Sequence, residues 1–298
     1  MAKEIKKYEL SENSKTNAFG HKVFQIRALQ DIARFGIKKG DLGGWVQSEL
    51  NLSQDGDAWV SGDAQVYGYA WVYGNAQVYG DAWVSGNARV YGNAQVYGDA
   101  WVSGNAQVYG DAQVSGNAQV SGNAWVYGNA WVSGNARVYG NAQVYGDAWV
   151  YGDAQVYGNA QVYGNAQVYG DAQVSGNAQV YGNARVSGNA RVSGNAQVKK
   201  FENLFFASPI ANGYFITLHR TGKGHQINIG CWSGTIDELL PKVRTRNLTE
   251  QQVAEYEALV PLLQKRIDSW KPAEPVKTEK ELEIEELEKR LAELRSSN

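Results

Sequence analysis

Residues 134–151 read GNARVYGNAQVYGDAWVY, three passes of the motif Gly-[Asn/Asp]-Ala-x-Val-[Tyr/Ser]. The motif recurs every six residues from Asp57 to Val198 with almost no slippage, placing valine at twenty-four successive sixth positions from Val60 to Val198 and alanine likewise from Ala58 to Ala196. A helix is excluded, because its apolar face recurs about every 3.6 residues and a glycine at every sixth position would cost about 1 kcal/mol each against alanine. On an extended strand, Ala and Val two apart point to one side while the residue between them points to the other. The period therefore predicts strands of about four residues, Ala-x-Val-x, joined by sharp turns at Gly and Asn/Asp, the residue types that most readily take positive φ. An antiparallel meander cannot return Ala and Val to one face at every pass with strands this short. Coiling the chain so that equivalent strands stack in parallel can, and each unit then draws its stability from its neighbours.

The alternation of Val60 with Ala64, Val66 with Ala70 and so on resembles the hexapeptide-repeat proteins, which carry an aliphatic residue at the first position of each hexad and a small one at the fifth. The resemblance implies a mainly β fold, a left-handed parallel β-helix with three hexads per coil, which is an exception to the usual right-handed crossover. Twenty-four hexads then make about eight 18-residue coils, a shaft on the order of 38 Å long at roughly 4.8 Å per stacked strand. Burying each valine contributes about 1.5–3 kcal/mol, which hardly offsets the ordering of six residues. Stacked hydrogen bonds and outer side-chain ladders must supply the balance.

Three hexads per coil put residues eighteen apart in one column. One face then carries Tyr73, Tyr91, Tyr109, Tyr127, Tyr145, Tyr163 and Tyr181 beside a mixed row that includes Trp71, Arg89, Gln107 and Trp125. A second face mixes Trp59, Trp131 and Trp149 with Tyr79, Tyr97, Tyr151 and Tyr169, and a third sets Trp83 and Trp101 beside mostly serine. Stacked tyrosines and glutamine amide ladders stabilise a solenoid by themselves. A long aromatic face also suits a partner or a subunit-packing surface, so the Tyr73–Tyr181 column is the candidate binding surface. Hexapeptide β-helix proteins are commonly trimers packed side by side, and the resemblance implies a homo-oligomer with the trimer favoured.

The formal charge of -2 leaves no segment with a basic footprint, which speaks against direct nucleic-acid binding. A single cysteine, Cys231, excludes an internal disulfide framework. The opening MAKEIKKYELSENSK has no apolar signal-peptide core and no run of eighteen apolar residues occurs, so a soluble protein of the bacterial host cytosol, with no membrane contact, is expected. Hexapeptide acyltransferases use a histidine base, and related carbonic anhydrases hold zinc through histidines of neighbouring coils. The three histidines here, His21, His219 and His225, all lie outside residues 57–198, and no loop interrupts the hexads. No catalysis, cofactor or metal is therefore expected. An ice-binding role lacks threonine ranks in the repeat, and eight Asp against four Arg is too weak a charge for a DNA mimic.

The chain divides into an N-terminal cap with a degenerate first coil (1–56), the repeat (57–198), an α+β module (199–270), and a linker with a short coiled-coil helix (271–298). Open strand edges at both ends of a β-helix require caps. KKYEL and VFQIRAL read as strands of the first cap, followed by GDLGGWVQSELNLSQDGDAWV as a degenerate coil around Leu42, Trp45, Val46, Leu50 and Leu52. After Val198, YFITLHR and HQINIGCW read as a hairpin around Thr221 to Gly224. Capping boxes at Thr235–Glu238 and Thr249–Gln252 open two helices, the second with apolar Val253, Tyr256, Val260, Leu263 and Ile267 and kinked or divided at Pro261. Arg220, Lys223, His225 and Trp232, on or beside the hairpin with Cys231, are the candidate ligand residues of the module. A metal set of His219, His225 and Cys231 is outweighed by ordinary packing roles. Ile284, Leu287, Leu291 and Leu294 have a/d spacing and are candidate oligomerisation residues.

The GGWV and NLS elements of the entry, over about residues 8–198, and GCWSGT in the module resemble phage and prophage hexapeptide-repeat proteins. That resemblance implies a non-catalytic accessory protein, an oligomeric scaffold that binds a host or phage macromolecule by occupancy. Two alternatives stand beside it: a sponge for a nucleotide signal of host defence, contacted by groups such as Arg220, Lys223 and Trp232, and a structural fibre segment.

Overall fold

The computed structural model describes residues 6–207 and 213–270. From Trp59 to Val198 the chain forms twenty-four short parallel strands in three sheets, each strand paired with the one eighteen residues further on, as in Gln95↔Gln113, Trp101↔Gln119 and Gln107↔Trp125. The 18-residue coil is thus confirmed, and every motif Val and Ala from Ala58 to Val198 is 0% exposed. An earlier rung, Trp45↔Gln65 with Leu52↔Val72, adds the degenerate first coil, so the solenoid makes about nine turns.

Two expectations about the hexad are corrected. Each strand is two residues long, x and Val, where four were expected. The chain bends at every corner of the three-sided coil, yet hydrogen bonding continues through the bend, with Trp131 N donating to Ala148 O, Ser133 N to Val150 O and Asn135 N to Gly152 O. The turns also rest on glycine alone: each motif glycine from Gly56 to Gly194 has φ between 61° and 73°, and among the described residues no other residue type has positive φ. Asn and Asp at the following position stay in ordinary conformations, and their side chains do something else, described below.

The N-terminal cap is an antiparallel hairpin, Tyr8–Thr16 with Lys22–Ala28, joined through Leu42–Val46 to one solenoid sheet and making it eleven-stranded. Gly43 and Gly44 admit this close packing, since a Cβ on Gly43 would meet Ile26, Val60 O and the Trp59 ring at 2.6–2.7 Å. Trp59 is accordingly buried at 2% exposure beneath the cap; its expected place on an outer face is corrected. Of the expected degenerate-coil residues, Val46 and Leu52 are buried, whereas Leu42 and Leu50 are 48% and 84% exposed. Buried Lys7 donates to Ala58 O at 2.8 Å and Gly56 O at 3.2 Å. Asn51 Nδ2 donates to Ala70 O and Gly68 O, and Tyr8 Oη to Leu52 O.

At the other end, a four-stranded antiparallel sheet follows the shaft, with its hairpin Ile216–Thr221 and Gly224–Ile229 as expected. Its apolar face (Ile216, Leu218, Ile227, Ile229) packs against α1 (Ile236–Arg244) and α2 (Glu250–Asp268) around Leu239, Tyr256 and Leu263. Both capping boxes form. Helix α2 runs on past Pro261 as one element, so the expected division there does not occur. The polar face of the sheet, with Thr217, His219 and Asn228, closes the last coil.

Candidate binding surface

The seven tyrosines of the Tyr73–Tyr181 column form one continuous stack, because each follows a valine whose backbone is locked in the ladder. Successive ring centroids are 4.7–5.1 Å apart with planes within 9° of parallel. Trp71 caps the stack over Tyr73 at 4.1 Å. Trp71 and Trp125, on the adjoining row, are 40% and 38% exposed. Shorter stacks, Tyr79 on Tyr97 and Tyr151 on Tyr169, occupy the second face. Partial burial in the stack pushes the Tyr109 and Tyr163 phenols up to about 12, with the neighbouring tyrosines adding to the effect, so these phenols are uncharged at neutral pH, while exposed Arg89 stands in the adjoining row.

The glutamine amide ladder expected here shows one rung, Gln179 Nε2 donating to Gln161 Oε1 at 3.5 Å, and several glutamines act differently. The Oε1 atoms of Gln95, Gln107, Gln113 and Gln155 accept from tyrosine hydroxyls of the preceding coil, Gln107 from Tyr91 at 3.1 Å and Gln113 from Tyr97 at 3.2 Å. The extended amide ladder belongs to asparagine at the corner: Asn87, Asn105, Asn123, Asn141, Asn159 and Asn177 each donate Nδ2 to Oδ1 of the next up one edge at 2.9–3.2 Å, ending on Asn195. The sequence does carry the signal, since from Asn87 onward this column holds no aspartate while both other corner columns do.

The candidate ligand residues of the module are not gathered into one site. Arg220 pairs in register with His225, on the sheet face opposite His219, which separates the two histidines of the suggested metal set. His225 Nε2 accepts from Ile236 N at the start of α1 at 2.9 Å, and burial lowers its pKa, with Asp237 partly offsetting this. Trp232 is half-buried against the helix core, and Lys223 is exposed in the turn. A cavity of about 650 Å³ at the junction with the shaft is lined by Arg191, Tyr214, Asn228 and Cys231 among others, and by none of these four. Among the described residues no group of three His, Cys, Asp or Glu could hold a metal ion. Ile284, Leu287, Leu291 and Leu294 lie outside the described residues. No helix among the described residues is long and apolar enough to cross a membrane.

His219, 0% exposed, is the module residue that sequence reasoning undervalued. Its Nε2 faces Ser193 N at 3.5 Å and Asn228 Nδ2 at 3.1 Å, so it must accept, and the ring must be neutral. Burial holds its pKa down at about 4, the nearby Arg220 backbone offsetting only part of the effect and His225 adding to it.

Ten segments of the shaft match the family described as YdcK Beta solenoid repeat: residues 76–92, 82–96, 94–110, 112–128, 118–134, 142–158, 154–170, 160–176, 178–194 and 184–199. No curated protein matches the chain. Together, the repeat matches and the coils establish a β-solenoid repeat protein.

Proposed function

We propose that the protein is a non-catalytic scaffold of the phage hexapeptide-repeat type, an oligomer, with the trimer favoured, that binds a host or phage macromolecule by occupancy in the bacterial cytosol. The observation that carries this reading is the Tyr73–Tyr181 column, an aromatic surface seven rings long, held by its own stacking and flanked by the half-exposed Trp71 and Trp125 with Arg89 between them. Rings fixed in this way have lost most of their side-chain freedom before any partner arrives, which lowers the entropic cost of contact. The sponge reading finds less support. The first N–H of α1 is already taken by His225, and Asp237 and Glu238 crowd that helix end, an arrangement that repels a nucleotide phosphate.

Serine stands in the tyrosine position of many hexads, so the repeat itself shows that the change is tolerated. Replacing Tyr109, Tyr127 and Tyr145 together by serine should keep the β-sheet circular dichroism. It should also shift sedimentation towards the monomer, and protein purified from phage-infected cells should lose its co-purifying macromolecule. Unaltered sedimentation together with unaltered co-purification sinks the reading.

A further inference from the structure

The third face of the shaft contains a solved instance of a recognition problem that the second face leaves open. Trp83 and Trp101 stand one coil apart, edge to face at 71° with centroids 6.0 Å apart, and the Trp101 indole N–H donates to Ser85 Oγ at 3.3 Å. This pair is covered by Phe19, at the tip of the N-terminal hairpin, 5.1 Å from Trp83 and 5.6 Å from Trp101. The tip is a tight turn in which Asn17 Oδ1 accepts from Phe19 N and His21 N. Tyr67, on the preceding coil, backs the Phe19 ring at 6.1 Å.

A second edge-to-face indole pair, in which the first indole rather than the second donates to serine, lies without a cover. Trp131 and Trp149 meet at 70° with centroids 5.3 Å apart, and the Trp131 N–H donates to Ser115 Oγ at 3.2 Å. Serine explains the place: the tyrosine column of this face breaks at Ser115 and Ser133, and the Trp131 indole reaches into the gap to Ser115. Trp149 is 44% exposed, and no aromatic residue of a cap lies on the pair among the described residues. Where Tyr67 backs Phe19, the equivalent position holds Ser115, sixteen residues before Trp131 as Tyr67 is before Trp83. The result is a shallow, half-open hollow of about 490 Å³ walled by the two indoles, Gln113, Gln167 and Asp147.

We propose that the Trp131–Trp149 hollow is a docking site for an aromatic side chain presented on a tight turn of a polypeptide partner. The occupant follows from the chain's own use of the motif, in which a turn-borne phenyl ring fills the indole pair. Edge-to-face indoles offer a ring both a π-face and a positive edge. The walls carry one charge, Asp147, whose Oδ1 already accepts from Asn129 at 2.9 Å, so an anionic ligand is disfavoured. This hollow lies on a different face from the Tyr73–Tyr181 column, and neither proposal needs the other.

A cyclised peptide of residues 15–23, KTNAFGHKV, is the probe, because it reproduces the turn that already docks on Trp83 and Trp101. Titrated into the full-length protein, it should move the indole N–H resonances of Trp131 and Trp149, assigned with Trp131→Gln and Trp149→Gln. Binding should weaken at least tenfold when the peptide's phenylalanine is alanine, and at least tenfold for the Trp149→Gln protein. Glutamine is the commonest residue at that motif position, so this variant retains the shaft. Absence of any shift at the two indoles, or equal affinity for Trp149→Gln, overturns the proposal. So does a shift produced by a neutral hexasaccharide but not by the peptide, which makes the hollow a glycan site, or self-association that Trp149→Gln abolishes while the peptide fails to bind.

Discussion

Gly134 sits at φ +67°, and a Cβ there would lie 2.9 Å from the backbone nitrogen of Gly152 on the next coil. Alanine would have to accept the left-handed conformation, at roughly 1–2 kcal/mol, and also push apart two locked coils. Gly134→Ala should therefore cost about 2 kcal/mol or more. Gly20→Ala, at φ +82° with nothing within 4 Å, should cost only the conformational part; the two urea midpoints measure the difference. At the other end of the shaft, the neutral His219 ring accepts in place of a missing coil. Its pKa of about 4 in the fold lies below the ordinary 6.5 of the unfolded chain, so below pH 6.5 the unfolded chain binds the proton first. The contribution is complete above pH 6.5, and about 2 kcal/mol of it should be lost by pH 5. His219→Gln, which keeps an acceptor but cannot titrate, should show a smaller fall in melting temperature of the module between pH 7 and 5. The six-residue period foretold the valines and alanines, because burial there repeats with the coil. It could not foretell Trp59, which occupies the same motif position as the outward tryptophans and is buried only because Gly43 and Gly44 bring the cap down on it.

Between the residue and the shaft lies the ladder, and the two corner residue types that the motif treats as interchangeable are unequal there. An asparagine can donate to the rung above and accept from the rung below, whereas an aspartate can only accept. The Asn87–Asn195 edge needs both roles at every rung between its ends, and three rungs elsewhere show how the acid fits only as a terminus, with Asn93 donating to Asp111, Asn129 to Asp147 and Asn135 to Asp153. Asn141→Asp should thus break the bond to Asn159 Oδ1 while keeping the one from Asn123. We expect a loss of about 0.5–1.5 kcal/mol for an exposed bond of this kind, read as a lowered melting temperature. Asn165→Asp, in a column that already alternates Asn and Asp, should change it less. The strands show the same limit of a short motif. A hexad reveals which residues face inward, but not that the corner takes four of its six positions and leaves a two-residue strand.

For the whole molecule the direction of the hydrogen bonds decides what each end requires. The bonds flanking each strand and crossing each corner run from an N–H of one coil to a C=O of the next, as with Trp131 N to Ala148 O and Asn135 N to Gly152 O. At these positions the last coil presents unmatched donors and the first coil unmatched acceptors, while Arg191 O, an acceptor of the last turns, is met by Asn228 Nδ2. The caps match this polarity: Arg191 N meets Thr217 Oγ1, Ser193 N meets His219 Nε2, and the Lys199 and Lys200 N–H groups meet Asn203 Oδ1. At the opposite end, Lys7 Nζ and Asn51 Nδ2 supply donors to Ala58 O and Ala70 O. Unlike, complementary ends make a head-to-tail interface that does not close on itself, which is the geometry of a filament. A chain of residues 57–198, lacking both caps, should therefore grow into filaments of indefinite length, visible by electron microscopy and by a steep rise in light scattering with concentration. A chain of residues 1–198 bares its donor end while its acceptor end stays covered by Lys7 and Asn51, so it should halt at small oligomers. A chain ending at Trp270, with both caps in place, should form no filaments. Filaments from the 1–198 chain as readily as from the 57–198 chain would show that the polarity of the ends does not control assembly.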